Sequence, residues 1–175
     1  VGIVDISPIR KRKKELASDS YTPNGILWDL AKESDWGIRR AVAENLRASS
    51  DILYALSLDT SPEVRVAVAE NSNTSKDILR YLAKDYYIWV KVAVSSNLNT
   101  PDDVLGELAL DTSWSVRRRV AMNPKSSIKL LVRLFTYEKS LKEPTSPVII
   151  ALYENENLPY IVKKIIETLF RDMLP

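Results

Sequence analysis

The 175-residue sequence has no cysteine and no histidine, only four glycines and only two phenylalanines. Without thiols it can form no disulfide, thiolate metal site or iron–sulfur ligation. Without imidazole it lacks the usual general base and every Ser–His or Cys–His nucleophilic pair. Four scattered glycines make no phosphate-cradling loop. No apolar run approaches the length of a membrane span. The opening stretch Val1–Ile9 is apolar but short, broken by Asp5 and Pro8, and it precedes its basic run, the wrong order for a signal peptide. Neither sign of charge dominates: 25 Lys and Arg against 23 Asp and Glu leave a net charge of +2, too small to demand a polyanionic partner. These absences lead to the expectation of a cytoplasmic, non-membrane protein with no metal, no cofactor and no catalytic role.

What is present is a period. The pairs Ile26-Leu27, Ile52-Leu53, Ile78-Leu79, Val104-Leu105 and Leu130-Leu131 fall 26 residues apart, and Leu30, Leu56, Leu82, Leu108 and Leu134 keep the same step. So do Asn45, Asn71, Asn97 and Asn123. A fixed period of this length marks a repeat architecture. Each unit carries two apolar patterns of helical spacing, a first such as Val104, Leu105, Leu108, Ala109 and a second such as Val64, Ala67, Val68. The second pattern is apolar on nearly every side but built from small residues, so it belongs between neighbouring units, and stability must come from stacking.

Local signals predict the helix ends. Thr100-Pro101-Asp102-Asp103 reads as N-cap, first-turn proline and helix-dipole acid, and Thr74-Ser75-Lys76-Asp77 repeats the device. Ser61-Pro62-Glu63 and Ser113 open second helices, and the recurrent Asn closes them, a residue that tolerates the left-handed conformation of a C-terminus. Residues 1–20 read as an N-terminal cap helix, with Lys13, Leu16, Ala17 and Asp19 aligning on Arg39, Val42, Ala43 and Asn45. Residues 21–125 are four regular repeats. Residues 126–159 form a degenerate fifth, with about six extra residues in a longer loop around Tyr137–Pro147 before the pattern resumes at Val148, Ala151, Leu152, Asn155 and Pro159. Residues 160–175 are a terminal helix whose Ile161, Ile165, Ile166, Leu169 and Phe170 are expected to cover the last unit.

The stretch 52–74, Ile-Leu-x-x-Leu-Ser-x-Asp-x-Ser-Pro-Glu-Val-Arg-x-Ala-Val-Ala-Glu-Asn-x-Asn-Thr, resembles the repeat of the leucine-rich repeat variant family, a HEAT-like, armadillo-type group. The resemblance covers Tyr21 to Lys129 well and the C-terminal part loosely. It implies a single all-α domain, a right-handed α-solenoid of about five two-helix units with capping helices, in which the first helix is short or partly 3₁₀. Some relatives carry an iron–sulfur module, which a chain without cysteine cannot.

Against that frame the polar residues divide. An acid stands six residues before a base in every unit, Glu33/Arg39, Asp59/Arg65, Asp85/Lys91 and Asp111/Arg117, which resembles the Asp–Arg ladder of HEAT repeats. Each acid is expected to accept from the bases of its own and the next unit, tying the stack together, and the alternative is a ligand site. Arg40, Arg118 and Arg119 stand where other units have Val66, Val92, Ala67 and Ala93, so with Arg117 they either line a basic groove or form a solvated edge. Arg10-Lys11-Arg12-Lys13-Lys14 is the densest basic run, a solvated end face or a nucleic-acid contact. Trp36, Trp89 and Trp114 cluster where second helices begin, beside Tyr86 and Tyr87, and either plug turns or anchor a ligand. Carboxylates repeated every 26 residues do not converge as an acid–base pair must.

The candidate partner-binding residues are therefore Arg39, Arg40, Arg65, Lys91, Arg117, Arg118, Arg119, Trp36, Trp89 and Trp114. The leading expectation is a monomeric interaction scaffold holding a protein or peptide partner on a concave face. The second is a nucleic-acid binder using the basic and aromatic residues. A distant third, on fold analogy alone, is an enzyme like the HEAT-like DNA glycosylases.

Overall fold

The computed structural model describes residues 7–141 and 146–174. Among them the chain is all-helical: twelve α-helices, a 3₁₀ turn at Arg171–Met173 and no strand. No described helix is long and apolar enough to cross a membrane. Two compact units divide the chain, residues 1–82 and 83–175.

The first unit holds α1 (Ser7–Ser18), α2 (Asn24–Leu30), α3 (Trp36–Glu44), α4 (Ser50–Ser57), α5 (Pro62–Glu70) and α6 (Lys76–Leu82). Helix α3 packs between α1 and α5, and α4 packs on α5 and α6. This is why α3 can bury Ile38, Ala41, Val42 and Ala43 around most of its circumference: small residues let two neighbours approach it at once. The second unit repeats the scheme with α7 (Ile88–Ser96), α8 (Asp102–Leu108), α9 (Trp114–Met122), α10 (Ile128–Ser140), α11 (Ser146–Glu154) and α12 (Tyr160–Leu169). There α9 lies between α7 and α11, and α10 contacts α8, α9 and α11. Burial follows the period. Leu27, Leu53, Leu79, Leu105 and Leu131 are all fully buried, as are Val42, Val68, Val94 and Val120. Each such side chain contributes about 1.5–3 kcal/mol of transfer free energy.

Several local expectations are corrected. The hydroxyls of Thr74 and Thr100 do not cap the following helices. They turn back to donate to the carbonyls of Val68 and Val94, six residues earlier, at 2.6 Å. Thr22 and Ser126 do the same to Leu16 and Val120. A buried hydroxyl is better used on the orphan carbonyls of a helix C-terminus than on an N-terminus that α8 already opens with Pro101. The closing asparagines adopt extended, not left-handed, backbone, as at Asn45 with φ −73° and ψ 121°. No described residue has positive φ. The first helices α2, α6 and α8 are short, seven residues each, but α-helical rather than 3₁₀.

At the C-terminal end, Tyr137–Ser140 extend α10 to thirteen residues instead of forming a loop. Residues 142–145 of that expected loop lie outside the described residues. Helix α12 buries Val162 and Ile166, whereas Ile161 and Leu169 are exposed, so only part of its apolar surface covers α11.

Candidate interaction surface

The charged ladder forms, with a connectivity the spacing did not reveal. Four bases reach forward to the acid of the next repeat, 20 or 21 residues on: Lys13 to Glu33 (2.7 Å), Arg39 to Asp59 (2.6 and 2.8 Å), Lys91 to Asp111 and Arg117 to Glu138. Within its own repeat each arginine donates to backbone carbonyls of the preceding turn. Arg39 Nη1 donates to Glu33 O and Ser34 O at 2.8 and 2.9 Å, Arg65 Nη1 to Asp59 O at 2.8 Å, and Arg117 Nη1 to Asp111 O at 2.8 Å. The guanidinium fork explains the division: one edge closes the turn behind it, the other faces the next helix. An Oδ1 of these carboxylates also accepts an amide two residues on, Asp59 from Ser61, Asp85 from Tyr87 and Asp111 from Ser113, all at 2.8 Å. Arg65 and Arg117 are buried and Arg39 and Lys91 half-buried.

Electrostatics follows the geometry. Burial alone would raise the Asp59 carboxyl, but the Arg39 hydrogen bonds, the Ser61 amide and the Arg39 and Arg65 charges together hold it below its ordinary 3.8. Arg39 is correspondingly raised by its hydrogen bond to Asp59, against the opposing effect of burial. At the N-terminal end the Arg10 side chain pairs with Asp35 and keeps that carboxyl low as well.

Glu138 was not singled out by the 26-residue step, which places Tyr137 at the acid position. Because α10 runs on for two extra turns, the last rung comes from a helix side chain one residue later. Glu138 is fully buried and Arg117, 4% exposed, also lies over the Tyr137 ring at 5.5 Å.

A second ladder is built from asparagine. Asn45 Nδ2 donates to Ala17 O and Asp19 O (2.8 and 3.0 Å), Asn71 to Ala43 O and Asn45 O (2.7 and 3.2 Å), and Asn123 to Ser95 O and Asn97 O (2.8 and 3.4 Å). Each Oδ1 accepts the amide two residues on, from Arg47, Asn73 and Lys125 at 2.8 Å. The primary amide suits this role because it offers two N–H donors and a carbonyl acceptor on one short stem. Asn155 extends the series to Ala121 O across 34 residues where Asn71 spans 28, a six-residue offset. The periodic Asn was the signal; its partners lie one repeat earlier and were invisible to local rules.

The residues that depart from the repeat are placed differently. Arg40 is exposed and pairs with Glu44 on its own helix at 2.8 Å. Arg118 is half-buried and Arg119 exposed on α9, with no hydrogen-bond or ion-pair partner among the described residues. Trp36 and Trp114 are the first residues of α3 and α9 and Trp89 the second of α7, and each is about half exposed at 46, 47 and 54%. The second unit thus brings Trp114, Arg118 and exposed Met122 onto one side of α9, at four-residue intervals, with Trp89 on the adjacent α7. Of the α1 basic run, Arg10 and Lys13 are engaged by Asp35 and Glu33, leaving Lys11 and Lys14 exposed to solvent.

In the first unit a cleft of about 370 Å³ opens between α4 and α6, lined by Asp51, Tyr54, Leu58, Asp77, Ile78 and Tyr81 together with Ser50 and Ser75. Its two tyrosines stand 27 residues apart, one off the repeat step, so a search for equivalent positions does not pair them. Among the described residues no cluster of three or more acidic side chains could hold a metal ion. Comparison with known proteins returns no matching family model and no matching curated protein.

Proposed function

We propose that the chain is a non-catalytic interaction scaffold, an α-solenoid of the leucine-rich repeat variant type that holds a protein or peptide partner against the exposed side of its second helices. The sequence period runs unbroken from Ile26 to Leu131, and the hydrogen bonds between successive repeats, backward from the Asn ladder and forward from the basic one, are what such stacking requires. The observation that carries the reading is a division of labour. The recurrent Asn and the ladder bases are consumed in ties between helices, while Trp114, about half exposed, and Arg118, half-buried and without a hydrogen-bond or ion-pair partner among the described residues, take part in none of them. Exposed tryptophan beside arginine is the composition of binding hot spots. The test is selection of a displayed random-peptide library on the immobilised protein, followed by calorimetry with Trp114→Ala and Trp89→Ala. Enriched peptides that lose about tenfold or more in affinity on either substitution support the scaffold; peptides indifferent to both sink it.

A nucleic-acid partner is favoured by one observation, the lack of acidic partners for Arg118 and Arg119. Binding to mixed-sequence DNA and RNA that falls steeply with salt and is lost in Arg118→Glu/Arg119→Glu would promote it, since phosphate contacts release counterions. Arg117 is unsuitable as a control because it is buried against Glu138.

A further inference from the structure

The cleft between α4 and α6 lies on the first-helix layer, away from the residues invoked above, and its chemistry differs from the rest of the surface. Each wall carries the same sequence of groups. On α4, Asp51 in the first turn is followed three residues on by Tyr54, with Leu58 at the residue just past the helix end. On α6, Asp77 in the first turn is followed by Tyr81 four residues on, beside Ile78. Tyr54, Leu58 and Tyr81 are 60, 51 and 54% exposed, three large side chains gathered on one opening.

The carboxylates have a local role, because first-turn acids complement the helix dipole. The aromatics have none that the repeat requires. At the position of Tyr54 the other repeats carry Trp28, Arg80 and Gly106, and at that of Tyr81 they carry Asp29, Ala55 and Glu107. Between α4 and α6, two tyrosines from adjacent helices line one cleft.

The charges are also unspent. The half-buried acids Glu33, Asp35, Asp59 and Asp111 are each paired with a base. Asp51 and Asp77 have no hydrogen-bond or ion-pair partner among the described residues, and no lysine or arginine lines the cleft. Two unpaired carboxylates flanked by two exposed aromatic faces form a site complementary to a cation with an apolar stem.

We propose that this cleft receives an arginine side chain of a partner polypeptide, its guanidinium stacked on Tyr54 or Tyr81 and hydrogen-bonded to Asp51 and Asp77. Arginine fits better than lysine because its planar fork presents donors to two acceptors while its face lies on a ring, whereas a lysine ammonium is a compact, strongly hydrated point charge. A cleft of about 370 Å³ accommodates the side chain with an adjoining apolar residue against Leu58 and Ile78. The site does not depend on the second-helix surface, and it stands or falls independently of that reading.

The experiment is a titration of the isotope-labelled full chain, followed by backbone amide shifts, with N-acetyl-arginine-methylamide and with the lysine, trimethyl-lysine and citrulline analogues as probes. Arginine should give saturable shifts confined to residues 50–58 and 75–82 in the millimolar range, at least about threefold tighter than lysine. Citrulline, which keeps the shape but not the charge, should give none. Tyr81→Ala and the double variant Asp51→Asn/Asp77→Asn should each weaken arginine by about fivefold or more, while the rest of the amide spectrum stays unchanged because all three side chains are exposed. Absence of saturable shifts in the cleft, equal binding of citrulline, or tighter binding of trimethyl-lysine than of arginine would each overturn the assignment.

Discussion

Replacing Asn123 by aspartate tests the asparagine ladder most sharply, because the exchange is isosteric and changes only hydrogen-bonding character. Asn123 is 3% exposed, donates to Ser95 O and Asn97 O, and accepts from Lys125 N. An ionised carboxylate keeps the contact with Lys125 but turns a negative charge on two carbonyl oxygens. The folded variant can escape by taking up a proton, and this limits the damage. Protonating a carboxyl of ordinary pKa, about 3.9, costs about 4 kcal/mol at pH 7, and the single O–H then satisfies only one of two carbonyls, a further cost of about 1 kcal/mol. Asn123→Asp should therefore lose about 4–5 kcal/mol at pH 7. The folded-state pKa of the new group is raised, so its relative stability is fully present below the unfolded value near 4 and is lost as pH rises, at up to about 1.4 kcal/mol per pH unit. Asn123→Ala loses both donors and the acceptor and should cost about 2–3 kcal/mol at every pH. Denaturant unfolding of both variants between pH 4 and 7 makes the comparison. The aspartate variant should be the more stable near pH 4 and the less stable at pH 7. If the two keep the same order and separation across that range, the Asn123 amide does not serve as a buried donor to these carbonyls.

Other perturbations report on other parts of the structure. Arg117→Met strands the fully buried Glu138 carboxylate and should cost about 3–5 kcal/mol, whereas Arg117→Leu/Glu138→Leu should recover most of it, as read by urea unfolding. Asp59 is held below 3.8, so its contribution is present above the ordinary aspartate value and fades as pH falls through the lowered folded value. Asp59→Asn should remove that part of the acid sensitivity, measured as a shallower loss of stability between pH 5 and 2 (about the range over which such a carboxylate titrates). Trp114→Ala, at a half-exposed helix start, should change stability by only about 0.5–1 kcal/mol while weakening any partner held there, so a larger loss of stability would return the tryptophan to a packing role. Thr100→Val removes the hydroxyl from Val94 O in a buried position and should cost about 1–2 kcal/mol in thermal unfolding, against almost nothing if the hydroxyl were a replaceable helix cap.

Two helices in every 26 residues were legible in the sequence, because apolar spacing is a local property. Leucine at each first-helix step and small residues in the second helix could be assigned to the interior without knowing what they touch, since hydrophobic burial is non-directional. Hydrogen bonds are directional, and their partners lie a repeat away. The same Asn that marks the end of a second helix could close it with left-handed backbone or reach back to the preceding repeat. Only the position of that neighbour sends its amide to two carbonyls and leaves the backbone extended. Likewise the acid–base pairs were visible as a spacing of six, but the fork of Arg39 turns its strong edge to Asp59, twenty residues on, because that carboxylate is where the next helix places it. Glu138 and the Tyr54–Tyr81 cleft fall outside the period altogether. Tertiary packing decided both, the one by lengthening a helix and the other by setting two non-equivalent side chains on facing walls.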